Sequence, residues 1–228
     1  MTEFEKTMTG NTIKAVLFDF GGVLAEEGFR DGLLALAAEQ GLDAQHITEQ
    51  GMRAVYDSGF VLGKGTVAGF WALLRERTGL RGDDEWLSER ILHGFVLRPW
   101  MIARVRQLRE QGYVTGILSD QTHWLDELDS RDDFSSAFDR IYNSYYLGKG
   151  KRDPSLFADV LADLNLPASA VLFIDDDGGN AGVDDFGISV DGTGVTSGST
   201  TDVDANTPIA IDEEGLTGYS FVGLTGDA

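Results

Sequence analysis

The 228-residue sequence contains no cysteine, and that absence removes three classes of site at once. Without a thiol, the chain has no disulfide framework, no cysteine nucleophile and no cysteine-ligated metal. Long apolar runs are also missing, because no stretch approaches the roughly 20 residues that a membrane-spanning helix needs. Residues 1–14 contain neither the basic segment nor the apolar segment of a secretory signal. We therefore expect a cytoplasmic protein.

Positive charge is scarce as well. The chain carries 18 lysines and arginines against 38 aspartates and glutamates, which gives a formal net charge of -20 at pH 7. Sequence-independent binding to nucleic acid requires a basic surface, and so does binding to an anionic membrane. We therefore expect no nucleic-acid partner and no membrane partner. The expected partner is a small molecule, bound by a monomer or a homodimer.

Four short apolar segments are predicted to be buried strands, at residues 14–20, 113–120, 140–146 and 170–177. Helical patterns separate these segments. Residues 99–112 form one such pattern, which begins with proline and ends with glycine, and residues 153–165 form another. Short apolar strands that alternate with helices favour an α/β fold with a doubly wound, Rossmann-like parallel sheet.

The stretch between the first two predicted strands is far longer than one crossover connection requires. Apolar residues recur at helical spacing in three of its segments, within residues 32–41, 66–79 and 85–95. We therefore predict that residues 25–98 form a small helical cap. The α/β core into which it is inserted would consist of residues 12–24 and 99–190.

Residues 191–228 have a different composition from the rest of the chain. They are rich in glycine, serine, threonine and aspartate, and they contain no lysine or arginine. We expect a last strand near residues 188–190, followed by an acidic tail that is poorly ordered. The segments "PIAI" and "YSFVGL" in this tail leave open a small added hairpin.

Polar side chains stand at the end of each predicted strand. They are Asp19 after the first strand, Ser119 and Asp120 after the second, Ser144 in the third, and Asp175 to Asp177 after the fourth. In an open parallel sheet, ligands bind beyond the carboxyl ends of the strands, so we expect these groups to converge. Neighbouring carboxylates repel one another unless a cation lies between them. Oxygen ligands without cysteine or a histidine pattern indicate Mg²⁺.

Four motifs contain these residues: "VLFDFGGVL", "GILSD", "GKGKRDPSLF" and "VLFIDDDGGN". Their order and rough spacing resemble those of the haloacid dehalogenase-like (HAD) hydrolases, and the inserted helices resemble the cap of that superfamily. The resemblance covers about residues 14–190. It implies a Mg²⁺-dependent hydrolase, in most cases a phosphatase that acts through an aspartyl-phosphate intermediate.

The resemblance also implies roles for individual residues. Asp19 matches the nucleophile, Ser119 matches a hydroxyl that binds a phosphoryl oxygen, and Lys151 matches the lysine that holds the phosphate and the nucleophile. Arg152 stands where the family usually has proline. Gly22 and Asp120 are expected to line the substrate site. A helix N-cap is the favoured role for Asp120, and proton donation, with a pKa raised by neighbouring carboxylates, is the alternative.

The metal site implied by the resemblance consists of oxygen ligands. Asp19, Asp175, Asp176 and the carbonyl group of Gly21 would hold Mg²⁺, with Asp176 the more direct of the acidic pair. Asn180 fits the "DDxxxN" form of the fourth motif and would support the ligands from the second shell. The glycines after Asp19 would allow a tight turn there.

Gly21 marks a departure from the pattern of family phosphatases, which commonly carry an aspartate two positions after the nucleophile as general acid and base. Three interpretations remain open. The chain is a phosphatase in which another group replaces that acid, as in a branch of the family with small residues here. Alternatively, it is a dehalogenase, whose halide leaving group needs no proton, or a HAD domain that binds phosphate or a partner without turnover. The acidic pair, Asp175 and Asp176, favours a small phosphorylated metabolite as substrate, because a phosphate dianion needs a cation beside these carboxylates.

Overall fold

A parallel β-sheet forms the centre of the molecule. The computed structural model describes residues 13–176 in full and, beyond them, only the backbone of short strands. Four strands lie within residues 13–176: β1 (Ala15–Phe18), β2 (Val114–Ser119), β3 (Arg140–Asn143) and β4 (Val171–Asp175). They lie side by side in the order β3-β2-β1-β4, and every neighbouring pair is parallel. This arrangement confirms the predicted α/β fold class.

Eight α-helices connect these strands. They are α1 (Gly28–Gln40), α2 (Ala44–Asp57), α3 (Val67–Thr78), α4 (Asp84–Gly94), α5 (Pro99–Glu110), α6 (Trp124–Asp132), α7 (Ser144–Leu147) and α8 (Ser155–Leu164). Within the described residues, no helix combines the length and the apolar character needed to cross a bilayer.

Both faces of the sheet are buried, as a doubly wound fold requires. Alternate residues of a strand point to opposite faces. Val16 and Phe18 therefore belong to a large apolar cluster on one face, and Ala15 and Leu17 belong to a smaller cluster on the other. None of these four side chains is exposed to solvent. Strand β1 is hydrophobic throughout because both of its faces are buried.

The third predicted strand is shorter than expected. It ends at Asn143, whose side-chain oxygen accepts a hydrogen bond of 3.0 Å from the backbone N–H of Tyr145. Asparagine at that position caps a helix, and Ser144 therefore begins α7 instead of ending a strand. The prediction that the strand continues to residue 146 was wrong because this local cap outweighs the apolar run.

The end of the chain contributes to the sheet in an unexpected way. Strand β10 (Ser220–Leu224) pairs antiparallel with β4, and β5 (Phe186–Gly187) pairs with β10. The strand expected near residues 188–190 is present only as β6 (Ser189–Val190), which pairs with β7 (Thr193–Gly194) apart from the main sheet. A further small pair consists of β8 (Pro208–Ile209) and β9 (Leu216–Thr217). The rest of the predicted tail lies outside the described residues.

Helices α1 to α4 lie together between β1 and α5 in the chain. Helix α1 packs against α2 and α4, and large aromatic side chains fill the space between these helices and the sheet. Phe60, which follows α2, meets Trp124 at the start of α6 with their ring centroids 5.2 Å apart. Residues of α1 and α2 line one cavity together with Asp19 and Ser119, which stand at the carboxyl ends of β1 and β2.

Candidate active site

The register of the sheet brings the predicted site residues to one edge. Phe18 lies level with Ile117 on one neighbouring strand and with Ile174 on the other. Asp19 follows directly after β1, and Ser119 and Asp175 are the last residues of β2 and β4. All three side chains therefore leave the sheet at the same end.

Lys151 joins two of the carboxylates in a buried ion-pair cluster. Its Nζ lies 2.7 Å from Oδ2 of Asp19 and 2.8 Å from Oδ2 of Asp175. The side chains of Lys151 and Asp175 are each only 2% exposed. Burial by itself would lower the pKa of Lys151, but the carboxylates of Asp19 and Asp175 raise it above its ordinary value. Lys151 therefore stays positively charged at any physiological pH.

Asp19 is also fixed by its own backbone. Its N–H donates a hydrogen bond of 2.8 Å to the carbonyl oxygen of Ile174, which ties it to β4. The N–H of Phe20 donates a bond of 2.7 Å to Oδ1 of Asp19. One carboxylate oxygen thus accepts from the backbone while the other faces Lys151, so the orientation of the side chain is fixed.

The donor set suits a hard divalent cation. One carboxylate oxygen from each of Asp19, Asp175 and Asp176 lies within 4.8 Å of the others. Carboxylates are the ligands that Mg²⁺ prefers, and an ion among them would offset their mutual repulsion. These residues therefore fit the cation that the sequence predicts. The predicted ligation by the Gly21 carbonyl stays a prediction.

The glycine turn after Asp19 depends on Gly22 in particular. Gly22 has a φ of 74°, whereas Gly21 is not among the residues with positive φ. A Cβ atom on Gly22 would lie 1.9 Å from Oδ2 of Asp176. Only glycine fits there without displacing this carboxylate. The structure therefore places Gly22 against a candidate metal ligand, and its predicted contact with substrate stays a prediction.

The loop that follows the turn is held by Arg98. Its guanidinium group donates to the carbonyl oxygens of Gly22 and Val23 and to both carboxylate oxygens of Glu26, the latter at 3.0 and 2.8 Å. The backbone N–H of Glu26 also donates to the carbonyl oxygen of Val96 at 2.9 Å. These bonds fix the path of the chain from β1 into α1.

Glu27 is a site residue that the sequence reasoning missed. It lines the same cavity as Asp19, Gly21 and Asp176. Burial, with further contributions from the charges of Asp176 and Asp19, raises the pKa of Glu27 to about 7. The cavity therefore contains a carboxyl group outside the four motifs.

Asp120 does not cap a helix, so that prediction was wrong. Helix α6 begins only at Trp124, whose backbone N–H donates a bond of 3.2 Å to Oγ1 of Thr122 and not to Asp120. Oδ1 of Asp120 instead accepts a bond of 2.8 Å from the backbone N–H of Lys151, and Oδ2 accepts a short bond from the hydroxyl group of Tyr56. Burial raises the pKa of Asp120, although these donors act in the opposite direction. The carboxylate links α2 to the loop that carries Lys151.

The site opens into a cavity of about 430 Å³. Strand ends form its floor, and side chains from α1, α2 and their flanking loops form its walls. The predicted residues that line it are Asp19, Gly21, Ser119, Asp120, Lys151 and Asp176. Arg152 and Tyr56 contribute to one wall, where the guanidinium carbon lies 3.7 Å from the ring centroid. A volume of this size suits a small ligand.

Ser144, one of the polar groups predicted at the strand ends, does not line the cavity. Ser144 is buried, and its hydroxyl lies 2.8 Å from the carbonyl oxygen of Val61 and 3.1 Å from that of Gln121, both within hydrogen-bonding distance. It therefore links the turn that contains Val61 to the loop that follows β2. Asn180 and Asp177 lie outside the described residues.

A family model for haloacid dehalogenase-like hydrolases matches residues 13–182. That span contains every candidate site residue described above. The chain belongs to the haloacid dehalogenase-like hydrolase family. It is therefore a HAD-like hydrolase, as the four motifs predicted.

Solved structures with the same fold include enzymes of two kinds. An HAD family enzyme of Bacteroides thetaiotaomicron, in complex with magnesium and inorganic phosphate, is 24% identical, with a TM-score of 0.54 over 74% of this chain and 87% of that chain. The L-2-haloacid dehalogenase of Xanthobacter autotrophicus, with chloropropionic acid covalently bound, is 21% identical, with a TM-score of 0.54 over 75% of this chain and 73% of that chain. At these identities the likeness shows the fold alone.

A curated relative matches part of the sequence. Bifunctional epoxide hydrolase 2 of Rattus norvegicus is 30% identical over 104 residues, which are 42% of this chain and 18% of that protein. The chain therefore spans less than a fifth of the length of this relative.

Proposed function

We propose that this HAD-like hydrolase is a Mg²⁺-dependent phosphatase that cleaves small phosphomonoesters through an aspartyl-phosphate intermediate. The observation that carries the proposal is the convergence of Asp19, Asp175 and Asp176 beside the buried Lys151. A phosphate dianion entering among these carboxylates needs positive charge to offset the repulsion. Lys151 supplies one such charge, and a divalent cation would supply the rest.

The bond changes follow from the positions of the side chains. The carboxylate of Asp19 attacks the phosphorus atom, the ester P–O bond breaks, and the leaving oxygen departs with the bonding electron pair. Lys151 holds Asp19 in place, and the Ser119 hydroxyl lies in the cavity where it can donate to a phosphoryl oxygen. Water then attacks the aspartyl-phosphate and releases inorganic phosphate and free Asp19. Mg²⁺, held by Asp19, Asp175, Asp176 and the carbonyl of Gly21, would supply charge neutralisation for the phosphoryl group.

Two further observations support this proposal. The cavity admits a small metabolite, and Arg30 and Arg152 provide positive charge among its lining residues. A relative with the same fold, from Bacteroides thetaiotaomicron, was solved with magnesium and inorganic phosphate. We also propose that the protein is cytoplasmic and that it is a monomer or a homodimer. We propose that it binds neither nucleic acid nor membranes.

One observation favours a dehalogenase instead. Gly21 provides no acid, and a departing halide needs none. The Xanthobacter autotrophicus dehalogenase also has this fold. However, a haloacid carries its own carboxylate, which the carboxylate of Asp176 in the cavity would repel. We therefore rank this function second, ahead of a domain that binds phosphate or a partner without turnover.

Release of phosphate from 4-nitrophenyl phosphate tests the proposal. We expect turnover with Mg²⁺ and none after chelation with EDTA. Release of chloride from 2-chloropropionate, with EDTA present, would favour the dehalogenase. If a broad panel of phosphomonoesters gave no turnover while phosphate mimics such as vanadate raised the melting temperature, the chain would be a binding domain.

A further inference from the structure

The position that lacks an acid is filled by a carboxyl group from elsewhere in the chain. An ideal Cβ atom on Gly21 would lie 2.7 Å from Oε1 of Glu27 and 3.6 Å from the ring of Phe95. The first distance is comparable with the separation between Cβ and the carboxylate oxygens within an aspartate side chain. The Glu27 carboxyl group thus stands next to the place where the side chain of residue 21 would carry its own.

The chain holds Glu27 in this position from both sides. Glu26, the preceding residue, turns outward to pair with Arg98. Gly28, the following residue, packs so closely that a Cβ atom would lie 2.3 Å from both the backbone nitrogen and the ring of Phe95. Glu27 therefore points into the cavity from a fixed backbone, which is the condition for a preorganised catalytic group.

We propose that Glu27 is a further catalytic residue, which exchanges a proton with the leaving oxygen and with the hydrolytic water in place of an acid at position 21. The inference rests on the proposed phosphatase function. When the ester P–O bond breaks, the leaving oxygen takes its proton from the Glu27 carboxyl group. When water attacks the aspartyl-phosphate, its proton passes to the Glu27 carboxylate. The cycle ends with both Glu27 and Asp19 in their starting states, and it needs no other reactant.

Asp120 also lines the cavity and, unlike Asp19 and Asp176, has no proposed role as nucleophile or metal ligand, but its contacts make it the weaker candidate. Its two carboxylate oxygens accept from the N–H of Lys151 and from the hydroxyl of Tyr56. A Cβ atom on Gly150 would lie within 2.8 Å of Asp120 Oδ2, so this carboxylate is also packed against backbone. Both carboxylate oxygens of Asp120 thus accept bonds that hold α2 and the Lys151 loop together.

The test compares two leaving groups. A nitrophenolate departs readily as an anion, whereas an alkoxide needs a proton, and general acid catalysis is typically worth about 10²–10⁴-fold. We expect Glu27→Gln to lower kcat/KM for glycerol phosphate by about 10²-fold or more, and for 4-nitrophenyl phosphate by less than about 10-fold. The Mg²⁺ concentration that gives half-maximal activity should not change. Glu39→Gln, the same substitution at an exposed position of α1, is the matched control and should leave both rates unaltered.

The second variant removes the carboxyl group from position 27 and places one at position 21. Glu27→Ala removes the side chain that a Cβ at position 21 would meet, and Gly21→Asp in that background should restore part of the glycerol phosphate activity. Equal losses with both substrates in Glu27→Gln, or a raised Mg²⁺ requirement, would overturn the inference and leave the phosphatase proposal standing. If the wild type hydrolysed no phosphomonoester, the phosphatase proposal itself would fail, and this inference with it.

Discussion

Replacing Lys151 with methionine tests the buried ion-pair cluster on which the site depends. The substitution keeps most of the apolar stem of the side chain and removes the ammonium group. Asp175, which is 2% exposed and 2.8 Å from that group, then keeps its burial but loses this counter-charge. Asp19 loses the same partner at 2.7 Å.

The expected cost follows from the burial of these groups. Removing one partner of a buried ion pair typically destabilises a protein by about 3–5 kcal/mol, because the remaining charge stays desolvated. For a chain of this size, each kcal/mol corresponds to about 2–4 °C in melting temperature. We therefore expect Lys151→Met to lower the melting temperature by about 6–20 °C. Hydrolysis of 4-nitrophenyl phosphate should be lost as well.

Lys149→Met is the matched control, two residues away in the same loop. Lys149 is 33% exposed and pairs with Asp159 on the surface. Exposed pairs contribute only about 0–1 kcal/mol, so this variant should unfold close to the wild type. Urea unfolding of all three proteins at one pH, in EDTA, measures the difference. The reasoning would be refuted if Lys151→Met and Lys149→Met had unfolding free energies within about 1 kcal/mol of each other.

Three other predictions concern single contacts of the site. Asp19→Asn should abolish hydrolysis of 4-nitrophenyl phosphate, because the nucleophile is lost at nearly constant shape, and turnover at the wild-type rate would disprove its role. Gly22→Ala should raise the Mg²⁺ requirement and lower stability, because its Cβ would displace Asp176; an unaltered metal titration would count against this contact. Tyr56→Phe should lower the unfolding free energy by about 1–3 kcal/mol in urea, because it removes a donor from the buried Asp120. A change below about 0.5 kcal/mol would show that this bond is dispensable.

The sheet and its polar edge were predictable from the sequence because both depend on local patterns. Strand β1 is a run of four apolar residues, each buried, and it ends one residue before Asp19. Strand β4 has the same form and ends on Asp175. A strand buried on both faces must be apolar throughout, so a carboxylate directly after such a run marks where the sheet ends.

Helix α2 is not among the three segments in which the sequence predicted a helical pattern. Its buried residues are Ile47, Gly51, Ala54 and Val55, and the first and the last are the only large ones. The small residues are needed because α1 lies close: a Cβ atom on Gly51 would come within 2.4 Å of the side chain of Leu33. Close helix packing therefore leaves few large apolar residues on the buried face of α2, and the role of Tyr56 was missed together with this helix.

Glu27 was missed for a different physical reason. It lies eight positions after Asp19, the proposed nucleophile, outside any motif, and the course of the loop brings it back to Gly21. That course is set by Arg98, whose bonds to Gly22, Val23 and Glu26 span more than seventy residues of sequence. No local pattern encodes such a contact. Gly21 could nevertheless have indicated such a contact, because a glycine leaves space that the side chain of a distant residue can occupy.

The charges of the ion-pair cluster help to separate the two hydrolase functions. Asp19, Asp175 and Asp176 carry three negative charges, and Lys151 carries one positive charge. The two remaining negative charges are what a single divalent cation neutralises. A phosphate dianion can approach the nucleophile once that charge is balanced, whereas displacement of halide at carbon gains nothing from a metal and needs fewer carboxylates at the nucleophile. The excess negative charge beside Asp19 therefore supports the proposed phosphatase over a dehalogenase.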